Sequence, residues 1–175
     1  SKAKHKTTQV LKADKDSAFD NGSLITAVDL SPSKIEDLYI AGKIWGFLKN
    51  YHPAIAAGNY NWDYELLRIV PKILECKNPK ERNDTLLNWV RNIGETTKNN
   101  SAKTNNVDIK LKPDLDWLSD KTKLGEDLSK QLLQIRDAQR GNNHYYIQFS
   151  AKNPEFKKEK PYYKNIPDAG YRLLS

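Results

Sequence analysis

Few side chains in this sequence can do covalent or metal chemistry. Cys76 is the only cysteine, so the chain can form neither an internal disulfide nor a thiolate metal cluster. It lies in IVPKILECKNP, a helical pattern in which a thiol packs as a small apolar group. A nucleophilic thiol needs a histidine base beside it, and nothing in the spacing brings His52 to Cys76. The three histidines, His5, His52 and His144, are scattered and have no acidic partner at ligand spacing, which argues against a metal site. Asp114, Asp116 and Asp120 lie close together, but a calcium loop needs a denser run of oxygen ligands and a glycine. They read as turn and cap residues. There is no Gly-x-Ser-x-Gly elbow, and no serine has a lysine or histidine at a motif spacing. The expectation is therefore no catalytic residue, no metal ligand and no cofactor.

The densest feature is aromatic. Residues 42–65, GKIWGFLKNYHPAIAAGNYNWDYE, hold Trp45, Phe47, Tyr51, Tyr60, Trp62 and Tyr64, six of the chain's seventeen aromatics. Such a cluster is either a packing centre or a binding surface. The packing reading has Trp45, Trp62, Trp89 and Trp117, one per helical element, holding a bundle together, since tryptophan is highly buried on average. The binding reading makes Tyr51, His52, Tyr60 and Tyr64 a candidate contact surface, a groove whose flat faces and polar tips suit a peptide or a sugar ring. His52 also precedes Pro53 at a helix end, where a histidine is placed to meet the last helix carbonyls.

Composition narrows the classes. The chain has 175 residues, enough for one domain or one plus a fragment, with 38% hydrophobic and 29% charged residues. No apolar run approaches the ~20 residues of a membrane helix. The opening SKAKHKTTQV lacks the apolar stretch of a signal peptide, which fits a cytosolic chain or an exported one already processed. Net charge is +7. A nucleic-acid footprint is one reading. However, the lysines are dispersed among acids, as in Lys157, Lys158, Glu159 and Lys160, and arginine, the usual reader of base edges, is scarce. No nucleic-acid partner is expected.

These residues need elements to position them. Residues 1–22 read as a polar tail with partial disorder, and Leu24 to Leu30 as a short apolar run of ambiguous type. Ser31-Pro32 opens a helix by capping and by proline at its first position, and this helix runs to about Asn50, because Pro53 disfavours helix at His52. AIAAGNYN connects. Asn61 caps a second helix with apolar residues Leu66, Leu67, Val70, Ile73 and Leu74 and a kink expected at Pro71. Asn78-Pro79 opens a third, carrying Leu86, Leu87, Trp89, Val90 and Ile93, and Gly94 ends it. Together residues 31–94 predict a small antiparallel three-helix bundle. After a loop over 95–106, Leu124, Leu128, Leu132 and Ile135 predict a fourth helix ending at Gly141. A short element docks Trp117. Two short strands, near 107–111 and 144–150, flank the fourth helix and are placed to pair as a minor sheet. Residues 151–168 are irregular, and AGYRLLS (169–175) reads as the opening of another helix. The fold class is mainly α.

The segment IWGFLKNYHPAIAAGNYNWDYELLRIVPKIL resembles the N-terminal helical region of the C-terminal-processing, or tail-specific, serine peptidases, whose relatives include the tricorn core peptidases. The matching positions are Trp45, His52-Pro53, Trp62-Asp63 and Ile93-Gly94. PDLDWL (113–118), HYYI (144–147), NPEF (153–156), EKPY (159–162) and PDAGYRLL (167–174) resemble a branch of that family found in Gram-negative cell envelopes, so the resemblance covers roughly residues 35–174. It implies a periplasmic or cell-envelope location and a non-catalytic module that positions a downstream protease domain in cis or presents a surface to a peptide or protein substrate. The family's catalytic serine and its base lie in domains beyond this sequence, so no catalytic residue is carried over. The alternatives are a free-standing peptide- or glycan-binding module using the tyrosine cluster and, from charge alone, a nucleic-acid binder.

Overall fold

The computed structural model describes residues 10–26, 28, 31–97, 113–138 and 145–146, and these are mainly helical. Six α-helices follow in order: α1 Pro32–Tyr51, α2 Pro53–Ala56, α3 Trp62–Glu75, α4 Pro79–Asn92, α5 Lys121–Leu124 and α6 Glu126–Arg136. Single 3-10 turns cover Ala13–Lys15 and Asp116–Ser119. None of these helices is long and apolar enough to cross a membrane.

The helix starts follow capping chemistry. Asn61 accepts the Tyr64 N–H at 3.2 Å, and Asn78 accepts the Glu81 N–H at 2.9 Å. Glu81 reaches back to the Lys77 N–H at 2.8 Å, so both sides of the α4 entry are satisfied. Asp120 accepts from Thr122 and Lys123 and so starts α5, while Asp114 accepts the Asp116 N–H, the turn and cap roles expected of this acidic group. Ser31 precedes α1 as expected, but it makes no cap bond, and its hydroxyl lies 3.3 Å from that of Ser33. The fourth helix differs from expectation. Gly125, at φ +74°, splits it into α5 and α6, and α6 ends at Arg136, with Asp137 at its C-cap, short of Gly141.

Pairings at the helix ends give the directions. The Lys34 ammonium at the start of α1 donates to the carbonyl of Cys76 beyond the end of α3, and Lys49 near the end of α1 pairs with Asp63 in the first turn of α3 at 2.9 Å. These helices are antiparallel. So are α3 and α4, since Trp62 stacks on Trp89 at one end and Cys76 meets Thr85 at the other. The core runs through Ile44, Phe47, Leu48, Ile55, Ile73 and Leu86, and α6 closes it with Leu128, Leu132 and Ile135. Each fully buried aliphatic side chain contributes roughly 1.5–3 kcal/mol. Ser129, fully buried on α6, donates to the Leu118 carbonyl at 2.6 Å and fixes the 3-10 turn that carries Trp117.

A buried ion pair crosses this core. Arg82 and Asp37 are 3% and 6% exposed, and Arg82 Nη1 donates to Asp37 Oδ1 at 2.9 Å. Arg82 Nη2 also donates to the Lys123 carbonyl at 2.6 Å, which Asn83 reaches from the same turn at 3.0 Å. The network ties α1, α4 and α5 together, and charges this buried persist only when each is paired and hydrogen-bonded.

Two expectations change. Residues 10–26 are not a free tail. Ala13 is buried, its N–H donates to the Gly58 carbonyl at 3.0 Å, and Asp16 pairs with Arg68 at 2.8 Å. The segment lies as a strap across the start of α3, held by Ala13 on Gly58 and by the carboxylates of Asp16 and Asp20 on Arg68 and Tyr64. Within the connector 54–61, the first residues form α2. The two expected strands and the helix over 169–175 lie outside the described residues, except that Tyr145 and Tyr146 form a bend.

Candidate functional site

The aromatic block condenses at the end of the bundle where α1, α3 and α4 meet. Trp62 is fully buried and Trp45 partly so, and the two exchange hydrogen bonds. Trp45 Nε1 donates to the Trp62 carbonyl and Trp62 Nε1 donates to the Trp45 carbonyl, both at 2.9 Å. A buried indole N–H must find an acceptor, and here each helix supplies the other's. Trp62 lies flat on Trp89 at 4.9 Å and 4°. Tyr51 is buried and stacks on Phe47 at 4.6 Å, and Phe47 also meets Trp117 in a T-shaped contact with ring centres 6.1 Å apart.

The four residues of the candidate contact surface separate. Tyr51 and His52 are core residues, 2% and 1% exposed, so neither can face a ligand in the folded chain. Tyr60 is half-buried and its hydroxyl donates to the Ile93 carbonyl at 3.1 Å, tying the connector to the end of α4. Tyr64 is also half-buried and donates to Asp20 of the strap. Only Tyr60 and Tyr64 retain exposed surface, and both hydroxyls are already used within the chain.

His52 holds the turn between α1 and α2 in a sense opposite to the one expected. Its Nδ1 accepts the Ala54 N–H at 3.3 Å and caps α2, instead of donating to carbonyls of α1. That places the proton of the neutral ring on Nε2, which is buried and has no hydrogen-bond partner. Burial holds the imidazole pKa down to about 4, with the nearby Gly94 backbone opposing the shift.

Sequence reasoning missed Tyr145 and Tyr146. Tyr146 donates to the Tyr60 carbonyl at 2.8 Å, and its hydroxyl accepts the Trp62 N–H; Tyr145 N–H donates to the Ala56 carbonyl at 2.9 Å. The pair thus pins the connector from α2 into α3. Burial raises the Tyr146 pKa, and the hydrogen bond to the Asp14 carboxylate pushes that of Tyr145 up to about 12. The sequence signal was the HYYI run, which reads as strand and falls within the resemblance.

A depression of about 140 Å³ lies between α1 and the Trp117 turn and is lined by Tyr39, Lys43, Trp117 and Lys123. Lys43 Nζ sits 4.5 Å from the Trp117 ring centre and 5.6 Å from that of Tyr39, so the chain's own lysine already takes the cation position over these rings. Cys76 is buried, with its Sγ 3.5 Å from Thr85 Oγ1, in the packed setting expected of it. Among the described residues no group of three or more His, Cys, Asp and Glu side chains is arranged to hold a metal ion.

No family model matches the chain, and no curated protein and no solved structure matches it either.

Proposed function

We propose that this chain is a non-catalytic helical module of a cell-envelope serine peptidase, positioning a protease domain in cis or presenting a contact surface to its substrate or partner. One observation carries the reading. The positions of the first block of the resemblance pack together: Trp45 and Trp62 exchange hydrogen bonds, Tyr60 closes on Ile93, and His52 lies against the Gly94 backbone; the blocks from 153 onwards lie outside the described residues. A motif whose members hold one another in place specifies a scaffold, and a scaffold of this size can orient a larger catalytic unit without doing chemistry. The purified chain is expected to leave unstructured peptides intact. Turnover that serine-directed inhibitors abolish contradicts the proposal.

The free-standing peptide- or glycan-binding alternative loses its motivation, since Tyr51 and His52 are buried and Tyr60 and Tyr64 are committed to internal partners.

A further inference from the structure

The strap is joined to the bundle in an unusual way. Among residues 10–26 only Ala13 is fully buried. The rest of its attachment is polar or at an edge. Asp14 accepts from the Tyr145 hydroxyl, Asp16 Oδ1 from Arg68 Nη2 at 2.8 Å, and Asp20 from the Tyr64 hydroxyl. Phe19 sets its ring against Tyr64 at 5.4 Å and 71°, with the Arg68 guanidinium 5.3 Å from its centre. Gly58, at φ +73°, offers its carbonyl to Ala13, and its missing Cβ makes room for Leu11. The receiving residues Tyr64, Arg68 and Tyr145 lie outside the hydrophobic core, which closes through α1, α3, α4 and α6 without them.

These contacts have the form of a ligand in a site. A guanidinium and two phenol hydroxyls receive three carboxylates, and an aromatic and cationic corner receives one phenylalanine. The recognised spacing is Asp-x-x-Phe-Asp, residues 16–20. Arg68 also holds Glu65 of its own helix at 2.7 Å, so the selection is by hydrogen-bond donors and not by net charge: the guanidinium and the two hydroxyls take carboxylate oxygens, and the corner takes an aromatic ring. We propose that this face of α3 is a docking site for an acidic peptide segment of Asp-x-x-Phe-Asp type on a partner protein, and that residues 11–20 fill it as a built-in competitor. The inference uses only contacts within the chain and does not depend on the peptidase reading. A strap with one buried alanine opens without unfolding the bundle, because local openings follow the apolar contact that is lost. A partner segment then competes against a tethered strap whose effective concentration is in the millimolar range.

The probe is a fluorescein-labelled synthetic peptide of residues 10–22, titrated by anisotropy. The full chain carrying Asp16→Asn, Phe19→Ala and Asp20→Asn is expected to bind it saturably and about tenfold or more tightly than the unaltered chain. Adding Arg68→Ala to that variant is expected to abolish binding. A triple variant with an unchanged helical circular-dichroism spectrum that fails to bind overturns the proposal, as does equal binding by the unaltered chain. Hydrogen exchange on the unaltered chain gives an independent reading. Amides of residues 11–20 are expected to exchange in a local opening faster than those of α1, and protection equal to that of α1, or loss of the helical spectrum in the triple variant, makes the strap part of the fold and overturns the proposal.

Discussion

His52 makes stability depend on pH in a range where few other groups titrate. The folded imidazole is 1% exposed with a pKa near 4, whereas an unfolded histidine titrates near 6.5. Between these values the unfolded chain takes up a proton that the folded chain refuses, so stability rises with pH across this window and is lost as pH falls from about 6.5 towards 4. The structure gives the reason twice. Charging the ring means desolvating an imidazolium, and it places a proton on Nδ1, the atom that accepts the Ala54 N–H. With these two pKa values the loss between pH 7.5 and pH 5 is about 2 kcal/mol, which lowers a urea midpoint by roughly 1 M. The assay is urea unfolding followed by tryptophan fluorescence at a series of pH values, for the unaltered chain and for His52→Asn, whose side-chain oxygen can still cap α2 but cannot titrate. The variant is expected to lose this slope. An equal slope in both chains, or a histidine NMR resonance absent from the variant that titrates near 6.5 in the unaltered chain, refutes the reasoning.

Three further substitutions test the packing account by denaturant unfolding. Gly58→Ala places a Cβ 2.7 Å from Leu11 Cδ1 and 2.9 Å from Tyr145 Cδ2 at a positive φ, so it is expected to cost roughly 1–3 kcal/mol, and an unchanged midpoint counts against the strap's seat. Arg82→Met removes the hydrogen-bonded partner of the buried Asp37 carboxylate, leaving it only the Lys34 ammonium at 3.8 Å, and is expected to cost up to roughly 3–5 kcal/mol, much of it recovered by adding Asp37→Leu; a neutral single substitution contradicts the buried pairing. Trp62→Phe removes one half of the exchange with Trp45 and part of the stack on Trp89. Its expected cost is roughly 1–3 kcal/mol, and no cost would mean that the exchange does not stabilise the fold.

The helices were legible wherever capping and periodicity agreed. Asn61 and Asn78-Pro79 mark the starts of α3 and α4 where the structure has them, and the apolar spacing of Leu86, Leu87 and Val90 predicts the face that α4 buries. Gly125 was hidden inside an otherwise continuous leucine pattern, since apolar spacing alone does not register a change of backbone direction. The strap escaped notice because its hold depends on partners far away in sequence: Arg68 for Asp16, Tyr64 for Phe19 and Asp20, Gly58 for Ala13. Local composition reads such a segment as polar and solvated. Of the candidate site, the sequence located the aromatic centre but could not say which rings face inward. Tyr51 and Tyr60 sit in similar local sequence, and only the course of the connector buries one and leaves the other at the edge.

The central claim is that the chain is a contact module serving a larger serine peptidase, and the mass of the native product tests it most directly. An antibody raised against this chain is used to capture the product from the source cells, and the captured material is sized and assayed on an unstructured peptide. The account predicts a product several times larger than 20.1 kDa, with peptidase activity that a serine-directed inhibitor blocks. A product of 20.1 kDa without activity contradicts it and leaves the chain acting alone.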